Sequence, residues 1–460
     1  MDDRQLVGLG ALAALLLLIA LRVPVGLAMV AVAVGGSWVL SLVAPFLRFE
    51  PYLMQVSTGF WSLVSTYDLA VLPLVVLRGF LAAEARLSGD LFRGLNALIG
   101  RRPGGVAMAT IGACAGFGAV AGSSLATAST MARVALPELR RLDYDTGLAT
   151  GVLAAGGTLG ILIPPSIVLV IYAVVVEASI IGMFQAAVLP GLMAVAFFMA
   201  VIALRVWQRP GSAPLAPPLD AAERRQAIRR MVPVVAIFGA IIAGLGLGLF
   251  TPTPAASIGV FAIALYGLLG PGRPLRAAGL AAAILSTARI TGMLFLILFA
   301  ADMLKGFFAR TGLPAALSAA AAESGQDPMV ILLLLLGTLV VLGCFLESLS
   351  MILVVVPFFW PVLLELNGGA FATAETAAFG MTSDDLKIWF GILALVVVEL
   401  GLITPPVGLN VFVIKGFAPD VPMSTIFAGV LPFLAAEICR IALLIAVPAL
   451  TLMLPSLISG

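Results

Sequence analysis

The sequence predicts an all-α polytopic membrane protein built from two inverted repeats, each with about five transmembrane helices, one of them broken, plus a re-entrant hairpin. Three observations carry that fold class. Of 460 residues, 62% are hydrophobic and only 10% charged, with a mean hydropathy of +1.18, against about 25% charged residues in a soluble domain. Two membrane-type apolar segments are each cut by a Pro-Pro pair: GTLGILIPPS, ending at Pro164, Pro165 and Ser166, and GLITPPVG, with Thr404, Pro405, Pro406 and Gly408. The arginines, finally, gather on one side of a bilayer only if the second half of the chain runs upside down relative to the first.

In the first half, apolar runs place spans near 5–21, 24–44, 69–86, 145–176 (broken at Pro164) and 180–205. Runs such as Leu12 to Leu21 and Val330 to Gly343 are continuously apolar, without the alternation of a β-barrel strand. The start, Met-Asp-Asp-Arg, is acidic and no small-residue cleavage site follows the first run, so that run reads as a span and not as a signal peptide. Stretches 46–66 and 88–103 mix aromatics, charges and glycine and read as interfacial amphipathic helices; an ordinary polar loop is an equal reading of the first. A further apolar segment, 104–137, precedes the broken helix. Residues 1–205 thus form the first repeat, and 206–230, rich in Pro and Arg, a cytoplasmic linker. The second repeat, 231–460, has spans near 231–249, 253–270, 287–308, 386–417 (broken at Pro405) and 424–454, with the extra apolar segment at 329–365.

An odd number of crossings per half inverts the second half. With the N-terminus outside and both extra segments re-entrant, Arg22, Arg86, Arg93, Arg101, Arg102, Arg140, Arg141, Arg205, Arg209, Arg224, Arg225, Arg229, Arg230, Arg273, Arg276 and Lys415 fall in the cytoplasm. Arg4, Arg48, Lys305, Arg310 and Lys387 fall outside. That is the positive-inside bias, and making either hairpin a full crossing spoils it.

The absences exclude function classes. There is no histidine, hence no imidazole base, Ser-His triad or imidazole metal site. None of the three lysines, Lys305, Lys387 and Lys415, sits in a phosphate-binding loop, so ATP is not the direct energy source. The net charge of +2 says nothing about nucleic acid, and with no basic tract interleaved with aromatics no nucleic-acid partner is expected. Cys114, Cys344 and Cys439 are widely separated in apolar segments and read as small fillers.

The Pro-Pro breaks matter because proline lacks the N–H of the helical ladder and its ring clashes one turn back. Two together leave carbonyls without helical partners inside a span, at several kcal/mol each in lipid unless protein, ion or cavity water satisfies them. Interrupted spans at corresponding places in two halves point to a transporter's binding site. The first extra segment carries Gly122, Ser123 and Ser124 at a plausible tip, where backbone can approach a ligand. Hydroxyls beside freed carbonyls give the all-oxygen surroundings a hard cation needs, and half-helix N-termini meeting there favour an anion. Small residues at this density also serve plain close helix packing. In the second half Ser348 and Ser350 take the tip, and the longer spacing to Pro405 reflects a polar insert, Asn367 to Lys387. Glu347, an acid in an apolar run, is either a functional group or a shaper of the hairpin. Arg133, Arg289 and Arg440 could hold a carboxylate, with Arg289 the foremost; equally they snorkel or pair, Glu437 standing one helical turn from Arg440.

The stretches GSSLATASTM, GTLGILIPPSI, GLFTPT and GLITPPVGLN, in that order, resemble the large membrane (M) subunit of tripartite ATP-independent periplasmic (TRAP) transporters over essentially the whole chain. The resemblance implies an elevator-type, sodium-coupled secondary transporter in the bacterial cytoplasmic (inner) membrane, importing carboxylate-bearing organic anions and not acting as an enzyme. It implies a small four-helix membrane subunit, a periplasmic substrate-binding protein and sodium ions as coupling ions, with no cofactor. Carried onto this chain, one sodium site draws on Ser123, Ser124, Gly160 and Pro164, and the other on Ser348, Ser350, Thr404 and Pro405. The substrate-facing candidates are Ser123, Ser124, Thr127, Ser350 and Asn410, with Arg289 added as a carboxylate holder. The chain departs from the family pattern after Thr251-Pro252-Thr253, where Pro254 stands in place of the usual Glu. Competing readings are a binding-protein-independent sodium/dicarboxylate symporter, an intramembrane enzyme using Glu347 and Glu399, and a passive scaffold.

Overall fold

The computed structural model describes residues 2–270 and 275–459, so Arg273 lies outside the described residues. Those residues form helices and connections, with no strand among them. In chain order the helices are α1 (Asp3–Ala20), α2 (Val25–Val43), α3 (Phe49–Ser65), α4 (Val71–Glu84), α5 (Leu87–Ile99), α6 (Gly105–Ala121), α7 (Ser124–Arg141), α8 (Thr146–Leu162), α9 (Ile167–Val176) and α10 (Ile180–Gln208). The second half has α11 (Ala221–Gly246), α12 (Pro252–Leu269), α13 (Ala277–Thr311), α14 (Leu313–Glu323), α15 (Pro328–Gly343), α16 (Ser348–Leu366), α17 (Ser383–Ile403), α18 (Leu409–Phe417), α19 (Met423–Ala446) and α20 (Ala449–Ser459). Both halves therefore repeat one order: a helical pair (α6–α7, α15–α16), a helix broken at Pro-Pro (α8–α9, α17–α18) and a long helix (α10, α19).

Three boundaries differ from the sequence reading, each for a local reason. The expected span 424–454 is two helices, α19 and α20, because Pro448 ends the ladder after Ala446. The expected 287–308 is the 35-residue α13, since no proline interrupts 277–311. At 1.5 Å per residue α13 is about 52 Å long, far more than a hydrocarbon core needs. And the last ten residues of the expected linker, from Ala221, already belong to α11, whose start is set by a capping box between Asp220 and Glu223.

The chain divides into two compact units, each drawing on both sequence halves. One comprises residues 1–70, 288–337 and 349–387. In it small residues let α13 lie against α1 and α2. A Cβ on Gly26 would stand 3.3 Å from Ile297, one on Gly36 2.6 Å from the Phe307 ring, and one on Gly8 2.9 Å from Thr311 Oγ1. Contacts that advance together along both chains, 26 with 297 and 36 with 307, show α2 and α13 running parallel. Close approach of this kind is how helices associate where lipid offers no hydrophobic drive. The amphipathic α3 is tied on by Tyr52, whose hydroxyl donates to the Met303 carbonyl at 3.0 Å, and by Arg310, which donates to the Arg48 carbonyl at 2.7 Å. The polar insert is held by Asn367, whose side chain donates to Met381 O (3.1 Å) and accepts from Phe379 N (3.2 Å).

The other unit comprises residues 71–287, 338–348 and 388–460. At its centre is α8, buried from Gly147 to Leu162 and packed by α6, α7 and α19. Glycine again sets the distance: a Cβ on Gly151 would meet the Gly429 carbonyl carbon at 2.5 Å, and Gly147 stands against Thr425 O and Gly429. α8 and α19 therefore run parallel. The corresponding long helices α10 and α19 run antiparallel, since Pro190 O accepts from Arg440 (2.9 Å) while Phe198 packs edge-on against Phe433 (5.5 Å). One end of this unit gathers the segments expected in the cytoplasm. Asp145 N donates to Ser212 O (2.9 Å), Ala216 N to Gly100 O (3.2 Å), and Arg140 Nη2 to Asp420 Oδ1 (2.8 Å).

Two predictions follow from this packing. Gly151→Ala puts a methyl into backbone that cannot yield, and is expected to cost about 1–3 kcal/mol by overpacking, read as a lowered Tm in detergent or nanodiscs. The hydrogen bond from Arg140 holds the Asp420 carboxyl below the ordinary carboxylate range. A lowered carboxyl stabilises the fold above that range, and the contribution is lost as pH falls through the depressed value. Both side chains are substantially exposed (43% and 64%), so the effect is small. Asp420→Asn should lower Tm slightly at pH 7, and the difference from the unaltered chain should close as the buffer drops below about pH 3.9.

Candidate functional site: two hairpin tips beside two helix breaks

The first tip is a two-residue joint. Gly122 takes a left-handed conformation (φ +61°) that ends α6, and Ser123, extended, caps α7, its hydroxyl accepting from Ala126 N at 3.5 Å. Only glycine adopts that φ without strain. The tip lies on the first break: a Cβ on Gly122 would be 3.3 Å from Ile167 N and 3.6 Å from Pro165 O. Two helix N-termini, those of α7 and α9, thus meet at one place, as do the C-terminal ends of α6 and α8. The first pair presents partial positive charge and the second pair carbonyls. Gly160 makes the closure possible, because a Cβ there would lie 2.6 Å from Ser123 O. Gly118, one turn before the tip, backs onto Gly160 with 2.7 Å from its ideal Cβ to Gly160 Cα.

Around this joint stand four oxygens that are buried and without a hydrogen-bond partner: Ser124 Oγ, Thr127 Oγ1, Ser166 Oγ and Asn410 Oδ1. Asn410 belongs to α18 of the second half, yet its amide donates to Ala154 O of α8 (3.3 Å) and its Nδ2 is 3.0 Å from where a Cβ of Gly157 would be. A buried polar atom left unpaired costs about 1–3 kcal/mol, so four in one neighbourhood call for an explanation.

The second break repeats the construction. Gly401 precedes Pro405 by the same interval as Gly160 precedes Pro164, and its ideal Cβ would be 2.7 Å from Gly343 Cα at the end of α15. Cys344 Sγ approaches Pro405 O at 3.5 Å, tying the second tip to its break. Both Pro-Pro bonds, 164–165 and 405–406, are cis. Ser348 opens α16 and is buried, Ser350 is buried one residue pair further on, and Thr404 Oγ1 donates to Leu400 O at 2.6 Å.

The sequence candidates distribute as follows. Ser123, Ser124, Thr127, Gly160, Pro164 and Asn410 come together at the first tip. Ser348, Thr404 and Pro405 belong to the same compact unit, whereas Ser350 lies in the portion of α16, from Leu349, assigned to the other. Arg289 is exposed on α13 and belongs to the other compact unit. Arg440 is consumed by an ion pair with Glu437 and by Pro190 O, and Arg133 lies over the Phe417 ring at 5.5 Å. Four residues that sequence reasoning passed over complete the picture: Ser166 at the break, Gly118 and Gly401 at the close approaches, and Arg78, treated below. The glycine one turn ahead of each Pro-Pro pair was the legible signal for Gly401, and the place beside Pro164 and Pro165 that for Ser166; Gly118 had none beyond composition.

With this geometry in view, the likeness to known proteins is specific. The family profile described as "Tripartite ATP-independent periplasmic transporter, DctM component" matches residues 12–450. The chain belongs to this family. Its relatives include the C4-dicarboxylate TRAP transporter large permease protein DctM of Pseudomonas aeruginosa, 30% identical over 390 residues, covering 85% of this chain and 86% of that protein. The sialic acid TRAP transporter large permease protein SiaM of Vibrio cholerae is 30% identical over 405 residues (86% and 88%). Among solved structures, the YdaH transporter of Alcanivorax borkumensis superposes with a TM-score of 0.62 over 87% of this chain and 88% of that one, at 15% identity, a likeness of fold. As a TRAP large permease subunit the chain is a multi-pass protein of the bacterial inner membrane. Nine of its described helices are long and apolar enough to cross, and α6 and α15, the first arms of the hairpins, are among the shorter apolar helices.

The glycine contacts yield a prediction for this TRAP subunit. Gly160→Ala and Gly401→Ala each place a methyl against backbone and are expected to cost about 1–3 kcal/mol, whereas alanine at Gly416, which has open space, should leave Tm unchanged; differential scanning fluorimetry of the three variants checks this.

Proposed function

We propose that this chain is the translocating subunit of a sodium-driven secondary importer for a carboxylate-bearing organic anion, working by an elevator-type movement and supplied by a periplasmic binding protein. The observation that carries the reading is the set of four buried, unpartnered oxygens of Ser124, Thr127, Ser166 and Asn410 beside the carbonyl ends of α6 and α8. A hard cation such as sodium satisfies such a set, and unwound carbonyls are where transporters coordinate it. Bound there, the cation neutralises the carbonyl ends, while the N-termini of α7 and α9 favour the carboxylate of an arriving solute. Ser348, Ser350, Thr404 and Pro405 form the corresponding second sodium site, and the antiparallel run of α10 and α19 supports the inverted repeat that relates the two.

The relatives are named for C4-dicarboxylates, sialic acid, ectoine and isethionate. They support an organic-acid cargo, most often with a carboxylate head, and a small four-helix membrane subunit completes the assembly in this reading.

The test is uptake of radiolabelled C4-dicarboxylate and sialic acid into proteoliposomes holding the chain with its small subunit, with binding protein outside. Uptake should need both an inward sodium gradient and the binding protein. Ser124→Ala and Thr404→Ala should each raise the half-saturating sodium concentration about tenfold, the equivalent of about 1.4 kcal/mol for one lost ligand. Uptake indifferent to sodium would overturn the reading, and uptake without the binding protein would favour a free-standing sodium/dicarboxylate symporter.

A further inference from the structure

Arg78 interrupts the apolar helix α4 and is fully buried, with none of its surface exposed. No carboxylate pairs with it among the described residues. Instead its Nη2 donates to two backbone carbonyls, Ala119 O at 2.8 Å and Pro165 O at 3.1 Å, while Nε and Nη1 have no partner. A buried guanidinium without a counter-charge is costly, and inside a membrane protein such a group is a functional candidate by default. The two acceptors explain its presence. Ala119 sits in the last turn of α6, where carbonyls have no helical partner, and Pro165 lies in the break between α8 and α9. Both are orphan acceptors flanking the first tip.

The surroundings are shaped for this reach. A Cβ on Gly259 of α12 would lie 2.9 Å from Arg78 Cδ, so only glycine there leaves room for the stem. Gly79, next in sequence, brings α4 to the end of α6, with 3.2 Å from its ideal Cβ to Ala121 Cα. Both bonds come from the one nitrogen Nη2; a lysine ammonium could donate to both carbonyls, but without the planar guanidinium that fixes the direction of its N–H groups.

We infer that Arg78 is a positioning residue for the first tip: its guanidinium clamps the end of α6 to the break after α8, and so fixes the spacing of Ser124, Thr127, Ser166 and Asn410. That the clamp thereby sets sodium affinity rests on the cation reading above; the clamp itself does not. Arg78 touches neither ion nor solute and acts through the two carbonyls. Its fixed positive charge also offsets the carbonyl ends of α6 and α8 when no cation is bound.

The experiment reads the clamp and the cation separately in the full chain, in nanodiscs. The clamp is read by maleimide labelling of Ser123→Cys in a Cys439→Ser background, with Cys439 of the unaltered chain as the control for an exposed thiol. Arg78→Gln should speed tip labelling about tenfold, equivalent to about 1.4 kcal/mol of lost closure, and Arg78→Lys by a lesser factor; in a separate Arg78→Lys chain that keeps Cys439 and Ser123, Cys439 labelling and Tm in KCl should stay unchanged. Equal labelling rates in all three forms overturn the clamp. If Arg78→Gln does not fold, Arg78→Lys decides by the same criterion. Affinity is read from Tm against NaCl at constant ionic strength with KCl. The half-saturating sodium concentration should rise about tenfold in Arg78→Gln and be partly rescued in Arg78→Lys. A faster-labelling tip with an unchanged sodium midpoint overturns the link to affinity. A wild-type Tm that ignores sodium overturns the cation reading, while the labelling result still judges the clamp.

Discussion

A backbone carbonyl freed inside a membrane has no water to turn to, and the architecture around residues 118–167 follows from that. The Pro-Pro pairs at 164–165 and 405–406 cut two spans, and each cut exposes acceptors that lipid cannot satisfy. At the first cut the solutions are layered. Arg78 takes Ala119 O and Pro165 O. The remaining oxygens, contributed by Ser124, Thr127, Ser166 and Asn410, stay unpaired within the protein. A structure that needed only stability would fill such a place with apolar side chains, since replacing both partners of a buried polar contact by apolar groups is often neutral. Retaining the oxygens makes sense if something that enters and leaves completes them.

Glycine decides how closely the parts can assemble. Gly118 against Gly160 and Gly343 against Gly401 bring each hairpin's first arm onto the helix just ahead of its break. Gly147 and Gly151 bring α19 onto α8 in the same manner. These contacts substitute backbone proximity for the hydrophobic drive that is absent between helices in lipid. They also explain why α8 is buried all round although it carries almost no large side chains over Ala149–Gly160 apart from leucine and valine. In the other compact unit Gly8, Gly26 and Gly36 do the same for α13.

The amphipathic stretches were legible as such but their partners were not. Residues 46–66 became α3, largely exposed and anchored through Tyr52, while 88–103 became α5, which buries Leu87 to Phe92 against α6 and α11. The same sequence signal, mixed aromatics and charges, thus led to one surface helix and one half-buried one. Which outcome applies depends on whether another helix is available to cover the apolar face.

What the sequence determined by itself is what local chemistry controls: the apolar helices, the two breaks that proline imposes, and the motif set shared with TRAP large permease subunits. Proline also acted where it was overlooked, at Pro448, dividing an expected single span into α19 and α20. Only the tertiary structure decided what meets at the tip. Asn410 was a candidate through the family resemblance, but what it bonds to is Ala154, 256 positions away in the chain. Arg78, inside the expected span 69–86, drew no reading from the sequence, and its meaning came from two carbonyls 41 and 87 positions on. Spacing along a chain constrains neighbours within a few turns, whereas a tip of this kind is assembled from segments whose proximity is set by glycine-to-glycine packing of whole helices.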